Sequence, residues 1–139
     1  MIAIEGEMRE LLNSALADRL ACLVGTASKE GQPQISMKGS VSVYADDTLA
    51  YWERSMRSAL ENISENPKVV IFYRNPDKRI NWRFQGAATA YESGEIREKV
   101  KSQTPQPELD RDPDDKGFAI LVKVDRITDL GGTVLQQKD

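Results

Sequence analysis

The chain has 139 residues, with 19 Lys and Arg against 22 Asp and Glu, no histidine, one cysteine and a formal charge of −3. That length suits one domain over residues 1–139 around a single core, and 40% apolar with 29% charged residues describes a folded chain that is neither disordered nor membrane-embedded. The missing histidines exclude Ser-His-Asp and Cys-His catalysis and imidazole metal sites, and the lone Cys22 excludes intrachain disulfides, Cys-rich zinc sites and CxxC redox chemistry, so any reaction points to a borrowed cofactor.

Residues 7–18 place Met8, Leu11, Leu12, Ala15 and Leu16 at spacings of three and four, which predicts an amphipathic helix. The apolar run 20–27 predicts a buried strand, and Gly31 before Pro33 a hairpin turn. From Gln34 the alternation of Ile35 and Met37 with polar neighbours, continued by Val41 and Val43, predicts one further strand that turns at Asp46 and Asp47. Leu49 to Trp52 reads as the next strand. Ser55 is the predicted N-cap of a helix carrying Met56, Leu60 and Ile63, stopped at Asn66 by the proline that follows. Residues 68–74 and 80–91 predict strands on either side of a turn at 75–78, and 95–102 a short helix. Residues 103–116, with Pro105, Pro107 and Pro113, read as an exposed linker or short helical excursion. Phe118, Ile120, Val122 and Val124 alternate in a closing strand over 117–128, and residues 130–139 read as a tail. The sum is about six strands, most of them joined by short turns, and two or three flanking helices: an α+β, mostly β chain whose sheet closes or partly closes into an antiparallel barrel.

The N-terminus has no basic flank and no long apolar segment, and the longest apolar runs fall far short of the ~20 residues of a membrane span. The cytoplasm and the absence of a membrane partner are therefore the expectation. The mild acidity argues against nucleic acid, whose phosphates call for a basic face.

Three segments carry candidate chemistry. On a strand, Gln34, Ser36, Lys38 and Ser40 share one side, presenting an amide, two hydroxyls and an ammonium suited to a phosphate or polyol. The same pattern also describes a solvent-facing strand edge. In the segment from Trp52 and Glu53 through Arg54, Ser55, Arg57 and Ser58, two arginines and two serines sit where a strand gives way to a helix. Cations oppose the dipole at a helix start unless an anion binds there. Third, Asn81, Arg83 and Gln85 alternate with Trp82 and Phe84; amides can read the edge of a planar heterocycle, although core aromatics backed by water-facing polar residues explain the pattern too. Cys22 in its apolar run reads as a buried structural thiol, and the aspartates at 46–47 and 112–115 as turn solvation rather than calcium ligands.

Taken in order, Gly31-x-Pro33, Ser36-x-Lys38-Gly39, Leu49 to Trp52, Leu60-Glu-Asn62-Ile63, Asn66-Pro67-x-Val69 and Phe84-Gln-Gly86-x-Ala88 resemble the pyridoxamine 5'-phosphate oxidase-like family of FMN-binding split-barrel proteins. The resemblance implies a six-stranded antiparallel split β-barrel and a homodimer that holds FMN at the subunit interface. It implies that Ser36 and Lys38 run along the flavin, with Lys38 near phosphate or ribityl oxygens and able to stabilise the reduced flavin. Trp52 and Glu53 fall at backbone contacts to the ring or phosphate, Arg57 and Ser58 at the phosphate-binding segment, and Asn81 where a glutamine commonly meets the flavin. Two departures accompany it: Ala59 stands where a phosphate-binding lysine is usual, with Arg54 the available replacement, and the C-terminal Trp and Arg region of true pyridoxamine phosphate oxidases is not found. Vitamin B6 oxidation is therefore not expected. The resemblance implies an FMN-dependent oxidoreductase acting between a reduced nicotinamide or other small donor and an unnamed substrate. The alternatives are a flavin-binding, sensing or stress-associated module without turnover, and a deazaflavin or haem binder using the same cleft.

Overall fold

The computed structural model describes residues 1–55 and 57–139; Met56, expected on an apolar helix face, lies outside the described residues. Among those residues the chain forms, in order, α1 (Gly6–Asn13), β1 (Cys22–Ala27), β2 (Pro33–Lys38), β3 (Ser42–Ala45), β4 (Thr48–Glu53), α2 (Ser58–Glu65), β5 (Lys68–Asn75), β6 (Ile80–Tyr91), α3 (Glu95–Gln103), α4 (Gln106–Leu109), β7 (Phe118–Thr128) and β8 (Val134–Gln137). Neighbouring strands pair antiparallel in the order β2-β1-β5-β6-β7-β4-β3, with β8 added beside β7. The fold is mostly β, an antiparallel split barrel flanked by a few helices, with eight strands among the described residues where six were expected.

The two extra strands have separate causes. The segment read as one strand from Gln34 to Val43 breaks at Gly39 and Ser40 into β2 and β3, because Ser40 leaves the ladder to bond the backbone of Trp52. The expected tail contains β8, in which Arg126 faces Gln137 and Ile127 faces Gln136. The Gln136 side chain also accepts the Ala3 N–H at 2.7 Å and donates to the Ala3 carbonyl at 3.1 Å, binding the N-terminal segment as a strand would. A short, half-polar segment carries little periodic signal; the free edge of β7 makes it a strand.

The core gathers Leu12 of α1, Cys22 and Val24 of β1, Leu49 and Tyr51 of β4, Ile71 and Tyr73 of β5, Phe84 of β6 and Ile120, Val122 and Ile127 of β7. Each buried Leu, Val, Ile and Phe among them stabilises by about 1.5–3 kcal/mol relative to exposure. Burial also pushes the Cys22 thiol up to about 12, which keeps it inert. Trp82 stacks on Tyr73 at 5.3 Å and meets Phe84 edge-on at 6.3 Å, so Phe84 lies in the core and the half-buried Trp82 packs against it.

Helix α1 is shorter than the expected span to residue 18. It stops at Asn13, whose side-chain oxygen accepts the Val43 N–H at 2.8 Å, and the Ser14 hydroxyl turns to the Asp18 carboxylate at 2.8 Å. Short polar side chains compete here with the helical ladder. Helix α2 is fixed to β1 by a buried bond from the Asn62 amide to the Thr26 hydroxyl, 3.1 Å long. A smaller cluster of Ala50, Trp52, Val100 and Ala119 packs with Leu109 of α4 on the far side of β4. Of the two expected forms the 103–116 segment takes the short helical excursion, α4, and is a strap fastened to the barrel through Leu109.

Candidate functional site

The side chains of Gln34, Ser36 and Lys38 point from β2 into a cleft of about 380 Å³. The end of β4, the start of α2 and the strap complete it through Trp52, Arg54, Ser55, Arg57, Ser58 and Glu108. The two-residue period of β2 brings three of the expected residues together, as a strand requires. Its apolar residues Ile35 and Met37 remain 71% and 72% exposed, with Met37 also at the rim of the cleft. The polar face of β2 is thus the more buried one, and the apolar face lies open beside Leu23 and Phe72.

Lys38 does not extend freely toward a ligand. Its Nζ lies 2.8 Å from Glu53 Oε2, with the two side chains 12% and 1% exposed. The Ser55 N–H and hydroxyl donate to the same carboxylate oxygen at 3.3 and 3.0 Å. This overturns Ser55 as the N-cap of α2: a buried carboxylate without donors is costly, so Ser55 turns back to Glu53 and the helix starts at Ser58. Among the described residues the other carboxylate oxygen, Glu53 Oε1, is buried with no hydrogen-bond partner.

Ser40 and Trp52 act on each other more than on the cleft. The buried Ser40 hydroxyl accepts the Trp52 N–H at 2.9 Å and donates to the Trp52 carbonyl at 3.3 Å. The Trp52 backbone is therefore engaged by Ser40 on both its N–H and its carbonyl. Its indole N–H donates to Asp112 Oδ2 at 2.9 Å, and the Arg97 guanidinium lies 4.7 Å from the ring centroid. At Gly117 a Cβ would overlap the indole, so only glycine fits. Burial works against the Asp112 charge, but donation from the Lys116, Trp52 and Gly117 N–H groups outweighs it and holds the carboxyl below its usual range. Bonds from Lys101 and Arg97 lower Asp115 in the same way.

At the other end of the cleft, α2 begins with Arg57 as its N-cap residue in extended conformation, and no side chain caps the helix. The Ser58 hydroxyl donates to the Gln34 side-chain oxygen at 2.7 Å, tying α2 to β2. Among the described residues Arg57 pairs with no carboxylate, so an uncapped helix start and an unpaired guanidinium meet in one place. Arg54 Nε lies 3.6 Å from Glu108 Oε2. Glu108 in turn occupies the space a Cβ at Gly39 would fill.

The structure brings together Gln34, Ser36, Lys38, Ser40, Trp52, Arg57 and Ser58, with Glu53 bound to Lys38 behind the lining. Asn81 stands apart. It lies on β6 opposite Arg74, and β1 and β5 separate its strand from β2. Its Oδ1 is buried and has no partner among the described residues. Glu108 was missed by sequence reading; its signal, a carboxylate beside Leu109 in a proline-rich segment, is indistinguishable from a linker without the fold.

The model of the family described as Pyridoxamine 5'-phosphate oxidase matches residues 4–129. The chain belongs to this family. An uncharacterised protein of Methanocaldococcus jannaschii is 28% identical over 109 residues, 77% of this chain and 70% of that one. The crystal structure of Group A Streptococcus HupZ superposes with a TM-score of 0.76 at 26% identity, over 94% of this chain and 97% of that one. An FMN-binding protein from Syntrophomonas wolfei gives a TM-score of 0.70 at 17% identity over 89% and 86% of the two chains. A structure called F420 Reductase gives 0.66 at 18% over 89% and 98%. These last two likenesses speak to the fold. Among the described residues no helix is long and apolar enough to cross a membrane.

Proposed function

We propose that the cleft binds FMN and that the protein is a flavin-dependent oxidoreductase. The observation that carries this reading is the start of α2: an uncapped helix N-terminus whose cap residue is an unpaired arginine, flanked by Arg54, Ser55 and Ser58. Such a site favours a dianionic phosphate group. Ser36 and Gln34 continue from that end along β2 with groups suited to a polyol chain. Family membership and the FMN-binding neighbour supply the flavin. When bound, the flavin would supply hydride or electron transfer. The protein's part would then be to hold and orient it, with Arg57 and Ser58 binding the phosphate and Lys38, locked to Glu53, adding its charge to the lining.

The reading extends to a homodimer. The open apolar face of Ile35, Met37, Leu23 and Phe72 adjoins the cleft and suits a second copy. That copy would bring its own Asn81, which cannot reach the cleft of the same chain. A deazaflavin is the second reading, favoured by the likeness to F420 Reductase.

The test is the visible spectrum of the purified protein, with and without added FMN. Bands near ~370 and ~450 nm that bleach with NADH or NADPH and return in air support an oxidoreductase. Flavin uptake without bleaching by any donor leaves a binding module, and a colourless protein that takes up only a deazaflavin favours the second reading. Failure to take up any flavin ends the proposal. Light scattering on the same sample reads the dimer, and Met37→Asp should dissociate it.

A further inference from the structure

We propose that Glu108 is a specificity-determining residue that weakens the cleft's hold on the phosphate of its ligand, so that a phosphorylated flavin is held reversibly. This rests on reading the cleft as a flavin-phosphate site. Among the described residues Glu108 is the one carboxylate lining the cleft. Lys38 is already answered by Glu53 at 2.8 Å, which leaves Arg54 and Arg57 to face an anion. Glu108 Oε2 lies 3.6 Å from Arg54 Nε, too far for a hydrogen bond and close enough for its charge to offset that of the guanidinium.

The carboxylate is held in place. Leu109, the next residue, is anchored in the cluster around Trp52, and the missing side chain at Gly39 makes room for the Glu108 head group. Only 15% of its side chain is exposed, so solvent screens it incompletely. A phosphate dianion entering beside Arg54 therefore meets a fixed negative charge. The cost falls on the phosphate and spares the ring, so Glu108 narrows the preference for a phosphorylated ligand over its unphosphorylated counterpart.

The test is a fluorescence titration of the full chain, freed of flavin, with FMN and with riboflavin, for wild type, Glu108→Gln and Arg54→Gln. Glu108→Gln should tighten FMN binding about three- to tenfold and change riboflavin binding less than about twofold, a gain that shrinks as salt rises. Arg54→Gln should weaken FMN and spare riboflavin. An unchanged or weaker FMN affinity in Glu108→Gln, or an equal gain for riboflavin, overturns the proposal while leaving the flavin reading intact. If wild type binds neither flavin, the flavin reading falls and this inference with it. Thermal unfolding of each variant confirms that the fold is retained, and Arg54→Gln, with its opposite sign, guards against a general loosening of the cleft.

Discussion

The two ion pairs of the cleft are built for different ends. Lys38 and Glu53 sit 2.8 Å apart with side chains 12% and 1% exposed, and Ser55 adds two more donors to the same carboxylate. Arg54 and Glu108 sit 3.6 Å apart with 38% and 15% exposure and make no hydrogen bond to each other. A buried pair is costly to assemble and costlier to break, because the survivor is left charged and unpaired. A loose, part-exposed pair contributes little to stability and leaves its charges free to act on whatever enters. The first pair holds β2 to the end of β4; the second sets the field a ligand meets.

Breaking the first pair should give the largest effect. Glu53→Ala should lower unfolding free energy by about 3–5 kcal/mol in a denaturant titration, while the paired change Lys38→Met with Glu53→Leu should recover most of it. Next comes the wall behind the cleft: Gly117→Ala forces a methyl against the Trp52 indole and should cost about 1–3 kcal/mol by the same measurement. Arg57→Ala should leave stability within about 0.5 kcal/mol but weaken FMN binding about tenfold or more, with riboflavin little affected.

The acid limb sharpens the comparison further. Asp112 and Asp115 have folded values below the usual carboxylate range, so each contributes stability above the unfolded value of about 3.9 and loses it as pH falls through its lower folded value. Thermal unfolding followed downward from pH 5 should show this loss, and Asp112→Asn should make the limb shallower. The smallest effect belongs to the loose pair: Glu108→Gln should change stability by less than about 0.5 kcal/mol, in contrast to Glu53→Ala.

Much of the barrel was legible because its long strands carry their own period. The alternation from Ile80 to Tyr91 and from Phe118 to Thr128 marks β6 and β7 with little outside help. Cleft residues on β2 were legible for the same reason, since Gln34, Ser36 and Lys38 share a face whatever the fold. Asn81 does not join the cleft of its own chain, because a face says nothing about which strands lie between it and the site.

The amino-acid sequence by itself determined the order of the long strands and of the helices between them, the absence of histidine chemistry, the polar face of β2 and the motif order that marks the family, all of which depend on local spacing and residue type. Tertiary structure decided what depends on distant partners. It made β8 from a tail by offering the edge of β7, and it turned Ser55 from a helix cap into a donor for Glu53. It also engaged the Trp52 backbone through Ser40 and brought Glu108 from a proline-rich strap to the mouth of the cleft. A charge acts through space, and the 53 residues between Arg54 and Glu108 carry no trace in the sequence of the 3.6 Å that separates them.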